Sequence, residues 1–171
     1  HALVQHASAH GDCVVEIGSF RGTSAAILAM GLRAASSNAA IVSIDPPEAQ
    51  PCNAAHVRLA LQQIGQHRRL IQIPQTSEKA HRLLRPSVAS LILIDGDHSY
   101  EQVRSDFTNY ADVLAPGGVL LFHDYGSGDH NALPEAFPGV RQAVDELVFG
   151  DNRFTPLLLA HTLMVFEKRP T

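Results

Sequence analysis

The stretch Val14-Val15-Glu16-Ile17-Gly18-Ser19-Phe20-Arg21-Gly22-Thr23-Ser24 leaves the chain few ways to fold. A short apolar run ends in an acid and a glycine turn, then opens into Ala25-Ala26-Ile27-Leu28-Ala29-Met30, residues that favour a helix. This is the outline of a buried parallel strand feeding a helix through a tight turn. Free backbone N–H groups and the positive end of the helix converge at such a turn, which makes it a ligand site. Gly18 and Gly22 let the backbone bend and come close to a ligand where a Cβ would be in the way.

The spacing separates one ligand from another. A dinucleotide fingerprint reads G-x-G-x-x-G, but here its middle glycine is Phe20, which would crowd a pyrophosphate. The pattern is instead E-x-G-x-x-x-G-x-S, with Glu16 just ahead of Gly18. A carboxylate repels a phosphate and attracts a sulfonium or an amino group. An NAD-type oxidoreductase is therefore disfavoured. A buried, hydrogen-bonded Glu16 with no ligand is the plainer alternative.

Downstream, apolar runs alternate with helical patterns. Strands are expected over 13–17, 40–45, 70–73, 88–94 and 119–122, and helices over 23–33, 53–66, 77–84, 99–114 and 140–148. Asn53 and Ser77 are expected helix caps, and Pro116-Gly117-Gly118 is expected to end the fourth helix. Residues 2–9 read as the end of a preceding helix, and 126–137 as a loop. Two strands, 155–159 and 162–167, have little between them and so pair antiparallel. The pattern is α/β: one Rossmann-like, doubly wound sheet, mostly parallel, forming a single domain over 1–171. The chain starts at His1 rather than Met, so upstream residues are expected to be missing.

Composition excludes several classes. A chain of 171 residues, 45% hydrophobic and 18% charged, can bury a proper core. A net charge of -4 gives no electrostatic footprint for nucleic acid. No apolar run approaches a membrane span. Cys13 and Cys52 form no metal or redox motif, which fits a reducing cytoplasm.

Ligands in an open α/β sheet bind outside the carboxyl ends of the strands. Those ends carry Glu16, Asp45, Gln75 to Ser77, Asp95 to His98, and His123-Asp124. Asp45 could accept hydrogen bonds from two ribose hydroxyls, or cap a turn before Pro46-Pro47. Asp95 and Asp124, on neighbouring strands, could hold one divalent oxygen-loving cation. His98 could take a proton from a substrate hydroxyl, or simply pack while Asp97 and Ser99 cap the helix. His123 is a ligand, a substrate contact or a neighbour. Arg104 and Asp106 read as helix surface charges, and Arg141 as a weak candidate contact.

With Glu16 to Ser24, Ile94-Asp95-Gly96-Asp97-His98-Ser99-Tyr100-Glu101, and Leu114 through Tyr125 together, the chain resembles the class I S-adenosylmethionine-dependent methyltransferases. It is most similar to the small "methyltransferase 24" type, over roughly 13–167. The resemblance implies seven strands, the last antiparallel. It implies Glu16, Gly18 and Ser24 along the methionine part of S-adenosylmethionine, Asp45 at the ribose, Thr76 and Ser77 near the adenine, and Asp97 beside the cofactor. Magnesium-dependent O-methyltransferases of catechols and macrolide sugars are similar too. Their first metal Asp matches Asp95, their last acidic pair falls on His123-Asp124, and the sugar enzymes' histidine base falls on His98. An acid is usual where this chain has His123. The implied reaction is methyl transfer to a hydroxyl on a small sugar-like or polyol acceptor, assisted by Mg2+ at Asp95, Asp124 and His123. A non-catalytic cofactor-binding domain is the main rival, and a homo-oligomer is compatible with either.

Overall fold

The computed structural model describes residues 3–4, 10–47, 53–126 and 137–170. Seven strands form one sheet: β1 (Cys13–Ile17), β2 (Ala40–Ile44), β3 (Leu70–Ile73), β4 (Ala89–Ile94), β5 (Leu114–Phe122), β6 (Phe154–Ala160) and β7 (Leu163–Lys168). Their order is β3-β2-β1-β4-β5-β7-β6. β1 pairs in parallel with both β2 and β4, and β4 with β5. β7 runs antiparallel between β5 and β6, as the closing strand pair implied. The β6–β7 turn is tight, with His161 at φ +54°.

The apolar runs exist because both sheet faces are covered. Every residue of β1 and β4 is buried. Alternation sends Val15, Ile17, Ile92, Ile94, Leu120 and Phe122 to one face, against Phe107, Tyr110, Val140 and Val144. Val14, Ile41, Leu91, Leu93, Val119 and Leu121 go to the other, against Leu28, Leu32, Val57 and Leu61. The helices that supply these residues are α1 (Thr23–Ala34), α2 (Asn53–Gln63), α4 (Tyr100–Tyr110) and α5 (Pro138–Ala143, continued by a π turn over Val144–Val148). The short α3 (Ser77–Ala80) runs into a 3-10 turn.

Three local expectations are corrected. α4 stops at Tyr110 rather than near Leu114, and β5 begins at Leu114, running through Pro116-Gly117-Gly118. Gly117 at φ +76° lets the strand absorb this irregularity, and the buried Lys168 ammonium donates to the carbonyls of Ala111 (2.8 Å) and Leu114 (2.7 Å). A continuing helix would have claimed those carbonyls. The residue capping α3 is Thr76, so Ser77 stands inside the helix rather than ahead of it. Asp106 is buried, not a surface charge. The side chain of Asn53, and with it the expected cap, most of the 2–9 helix and most of the 126–137 loop lie outside the described part of the structure. No helix among the described residues is long and apolar enough to cross a membrane.

Candidate active site

The strand order reverses between β1 and β4, so the connections after those two strands diverge and open a crevice at the carboxyl edge. At its centre Gly18, at φ +85°, passes against the backbone leaving β4. A Cβ there would lie 2.1 Å from the Asp95 carbonyl oxygen. The glycine thus serves the crossing of two backbones as well as any ligand.

Two hollows meet at this crossing, sharing Gly18, Phe20, Asp95 and Gly96 in their walls. The first, about 480 Å³, runs from Asp45 and Pro46 to Thr76, Ser77, Asp97, Gln102 and Asp106. The second, about 640 Å³, holds Ser24, His98 and His123 against Ile27, Leu28, Leu93, Leu121 and Leu163. Asp45 accepts from the Ser19 hydroxyl (3.0 Å) and backbone N–H (3.3 Å), which fixes its carboxylate beside the glycine turn. Asp97 accepts from the Ser99 N–H (2.7 Å), and the Ser99 hydroxyl in turn caps α4 through the Gln102 N–H. Asp97 therefore both caps its loop and faces the first hollow.

Glu16 is fully buried beneath the turn. The Ser43 hydroxyl donates to its Oε2 (3.4 Å), while Oε1 has no partner among the described residues. Burial pushes the carboxyl up to about 7, with Asp95 and Asp45 raising it further and the Ser24 and Ser43 hydroxyls opposing. An orphaned buried carboxylate oxygen fits a cationic ligand group. It also has a consequence for stability. An acid whose folded pKa is raised stays protonated when the unfolded chain, near 4.5, has already ionised. Glu16 should therefore cost stability progressively from about pH 4.5 to about 7, by a few kcal/mol in all. Asp106, raised to about 6 chiefly by burial, acts in the same direction. Denaturant melts of wild type and Glu16→Gln at pH 5 and 8 check this: the variant should lose less stability between the two. Parallel losses would contradict it.

Beyond the crossing, Asp95, His98 and Asp124 each turn one ligand atom inward, all within 4.8 Å of one another. His98 Nε2 is 3.1 Å from Asp124 Oδ2 and 3.8 Å from Asp95 Oδ1. Asp124 takes φ +58°, a left-handed conformation that an Asp tolerates better than most residues. His123 Nδ1 faces the same two carboxylates, 3.1 Å from Asp95 and 3.2 Å from Asp124. Neither His98 Nε2 nor His123 Nδ1 completes a hydrogen bond among the described residues, although both are buried. Close polar contact with Asp95, and the charges of Asp95 and Asp124, push His123 up to about 9 against the opposing effect of burial. A protonated His123 and a divalent cation are thus two ways to neutralise one acidic pair. The trio's oxygen and imidazole donors, around a span of ion size, fit a divalent cation.

The sequence patterns brought Gly18, Asp45, Thr76, Ser77, Asp95, Asp97, His98, His123 and Asp124 to this edge, with Ser24 at α1. They missed Phe137, whose ring stacks on His98 at 4.0 Å and 25°. They missed Gln102 and Asp106 as well. Only the last had a visible signal: it shares a helical stripe with Val103, Phe107 and Tyr110, all of them buried.

A profile of the methyltransferase domain family matches residues 15–125. The chain belongs to that family. The solved structures say the same of the fold. The O-methyltransferase TomG of Streptomyces achromogenes, in complex with SAM, is 19% identical at TM-score 0.71, covering 99% of this chain and 78% of its own. The O-methyltransferase of Bacillus cereus, in complex with SAH, is 20% identical at TM-score 0.71, covering 98% and 78%. Uncharacterized protein R132 of Acanthamoeba polyphaga mimivirus is 34% identical over 65 residues, 38% of this chain and 28% of that protein. The chain therefore spans little more than a quarter of that curated relative's length.

Proposed function

We propose that this methyltransferase domain transfers a methyl group from S-adenosylmethionine to a hydroxyl of a small acceptor. The observation that carries the reading is the pair of hollows joined at Gly18 and Asp95, with His98 and the two carboxylates at the junction. Asp45 would hold the ribose, the 76–78 segment and Asp97 the adenine end, and Ser24 with Glu16 the methionine end. When bound, the cofactor supplies a methyl group already activated by a sulfonium. What remains for the chain is to align the acceptor oxygen and remove its proton. His98 would accept that proton, its ring held between Phe137 and Asp124. Asp95 and Asp124, with His98 or His123, would hold Mg2+, which lowers the pKa of a coordinated hydroxyl.

The second hollow refines the acceptor. Its polar lining comes from the 19–24 turn and from Asp95, His98 and His123, while Phe20, Ile27, Leu28, Leu93, Leu121 and Leu163 supply an apolar wall. A free sugar would lose water from every hydroxyl turned toward that apolar wall. The lining favours an alcohol or phenol with an apolar body over a bare polyol.

Calorimetric titration with S-adenosylmethionine, in magnesium and then in a chelator, tests the reading. Saturable binding is expected in both, with a magnesium-dependent change that Asp124→Asn abolishes. No saturable binding in either condition would overturn the cofactor assignment. Binding without turnover over a broad range of acceptors would support a non-catalytic module instead.

A further inference from the structure

In the wall of the first hollow, α4 presents a glutamine whose amide orientation is fixed by its neighbours. Gln102 Nε2 donates to Ser77 Oγ (3.0 Å) and to Asp106 Oδ1 (3.1 Å). Asp106 is fully buried, and an ionised carboxylate can only accept, so the atom facing it must be the amide nitrogen. Turning the amide over would set two acceptor oxygens against each other. Ser77 is held in turn, because the Tyr110 hydroxyl donates to its carbonyl (2.9 Å). The hydrogens of the Gln102 amide are thereby committed to acceptors, the Ser77 hydroxyl, Asp106 and the neighbouring Glu78 carboxylate. Its Oε1 points away from Asp106 and accepts no hydrogen bond from the described residues. Gln102 is half-buried in the wall of this hollow.

We propose that Gln102 is the residue that reads position 6 of the cofactor's purine: its Oε1 accepts from an exocyclic amine and rejects a carbonyl. Asp106 is the positioning residue that fixes the orientation of the amide. The inference rests on the cofactor reading above. It assigns the choice of 6-amino over 6-oxo purine to two residues of one helix, four positions apart on the same face. The physical basis is that two acceptors in contact repel, whereas acceptor and amine attract.

The test is calorimetric and needs no turnover. S-adenosylhomocysteine and its 6-oxo analogue, S-inosylhomocysteine, are titrated into wild type, Gln102→Met and Asp106→Asn. Wild type should prefer the 6-amino compound by at least about tenfold, since a mispaired buried polar group is costly. Gln102→Met keeps the length of the side chain without its acceptor, and the preference should collapse to within about threefold. Asp106→Asn can present an N–H to Gln102 and so free the amide to turn, which should also narrow the preference. A purely structural role for either residue would weaken both ligands alike and leave their ratio unchanged, which would overturn the proposal for that residue. Equal affinities in wild type would overturn it for both. Failure of wild type to bind either compound would overturn the cofactor reading, and this inference with it.

Discussion

His98→Ala is expected to lower methyl transfer by about 10²–10⁴-fold, the usual contribution of a positioned general base. Affinity for S-adenosylhomocysteine should stay within a few-fold of wild type. The separation follows from position: His98 faces the second hollow, with Nε2 3.1 Å from Asp124, whereas the residues proposed for ribose and adenine lie in the first. Single-turnover assays with catechol and short-chain alkanols as acceptors, beside calorimetry, measure both quantities. Turnover within threefold of wild type would remove His98 from the chemistry. The same variant also separates base from ligand. If His98 chiefly holds the cation, its loss should be partly offset by raised magnesium, and a lost base should not be.

Gly18→Ala is expected to cost several kcal/mol of stability and with it cofactor binding. Two effects add. The residue sits at φ +85°, where an L side chain costs about 1–2 kcal/mol. Its Cβ would also meet the Asp95 carbonyl at 2.1 Å and the Gly96 Cα at 2.7 Å, both backbone atoms that cannot swing aside. Relief requires β1 and β4 to part at the point where the two hollows join. Gly65→Ala is the internal control: its φ is +70°, but nothing lies within 4 Å, so only the conformational cost applies. Thermal melts should place Gly18→Ala well below Gly65→Ala. Equal melting temperatures would mean that the crossing tolerates a side chain.

The sheet was legible because its information is local. Leu91 to Ile94 are apolar without interruption, and Cys13 to Ile17 are apolar but for Glu16, a pattern that suits strands covered on both faces. Polar groups gathered at the strand ends marked the ligand edge for the same reason. α4 was misjudged at its end because a distant residue, Lys168, claims the carbonyls there. Asp106 was misjudged because its charge suggested solvent, although its place in the stripe with Val103, Phe107 and Tyr110 pointed inward.

By itself, then, the sequence determined the strand-and-helix alternation, the glycine turn and the list of groups at the carboxyl edge. Each of these follows from the period and chemistry of neighbouring residues. Tertiary structure alone decided how those groups meet: His98 against Asp124 and Phe137, His123 against two carboxylates, and Gln102 locked by Asp106. Distances between side chains on different elements depend on strand order and register, which no local pattern contains.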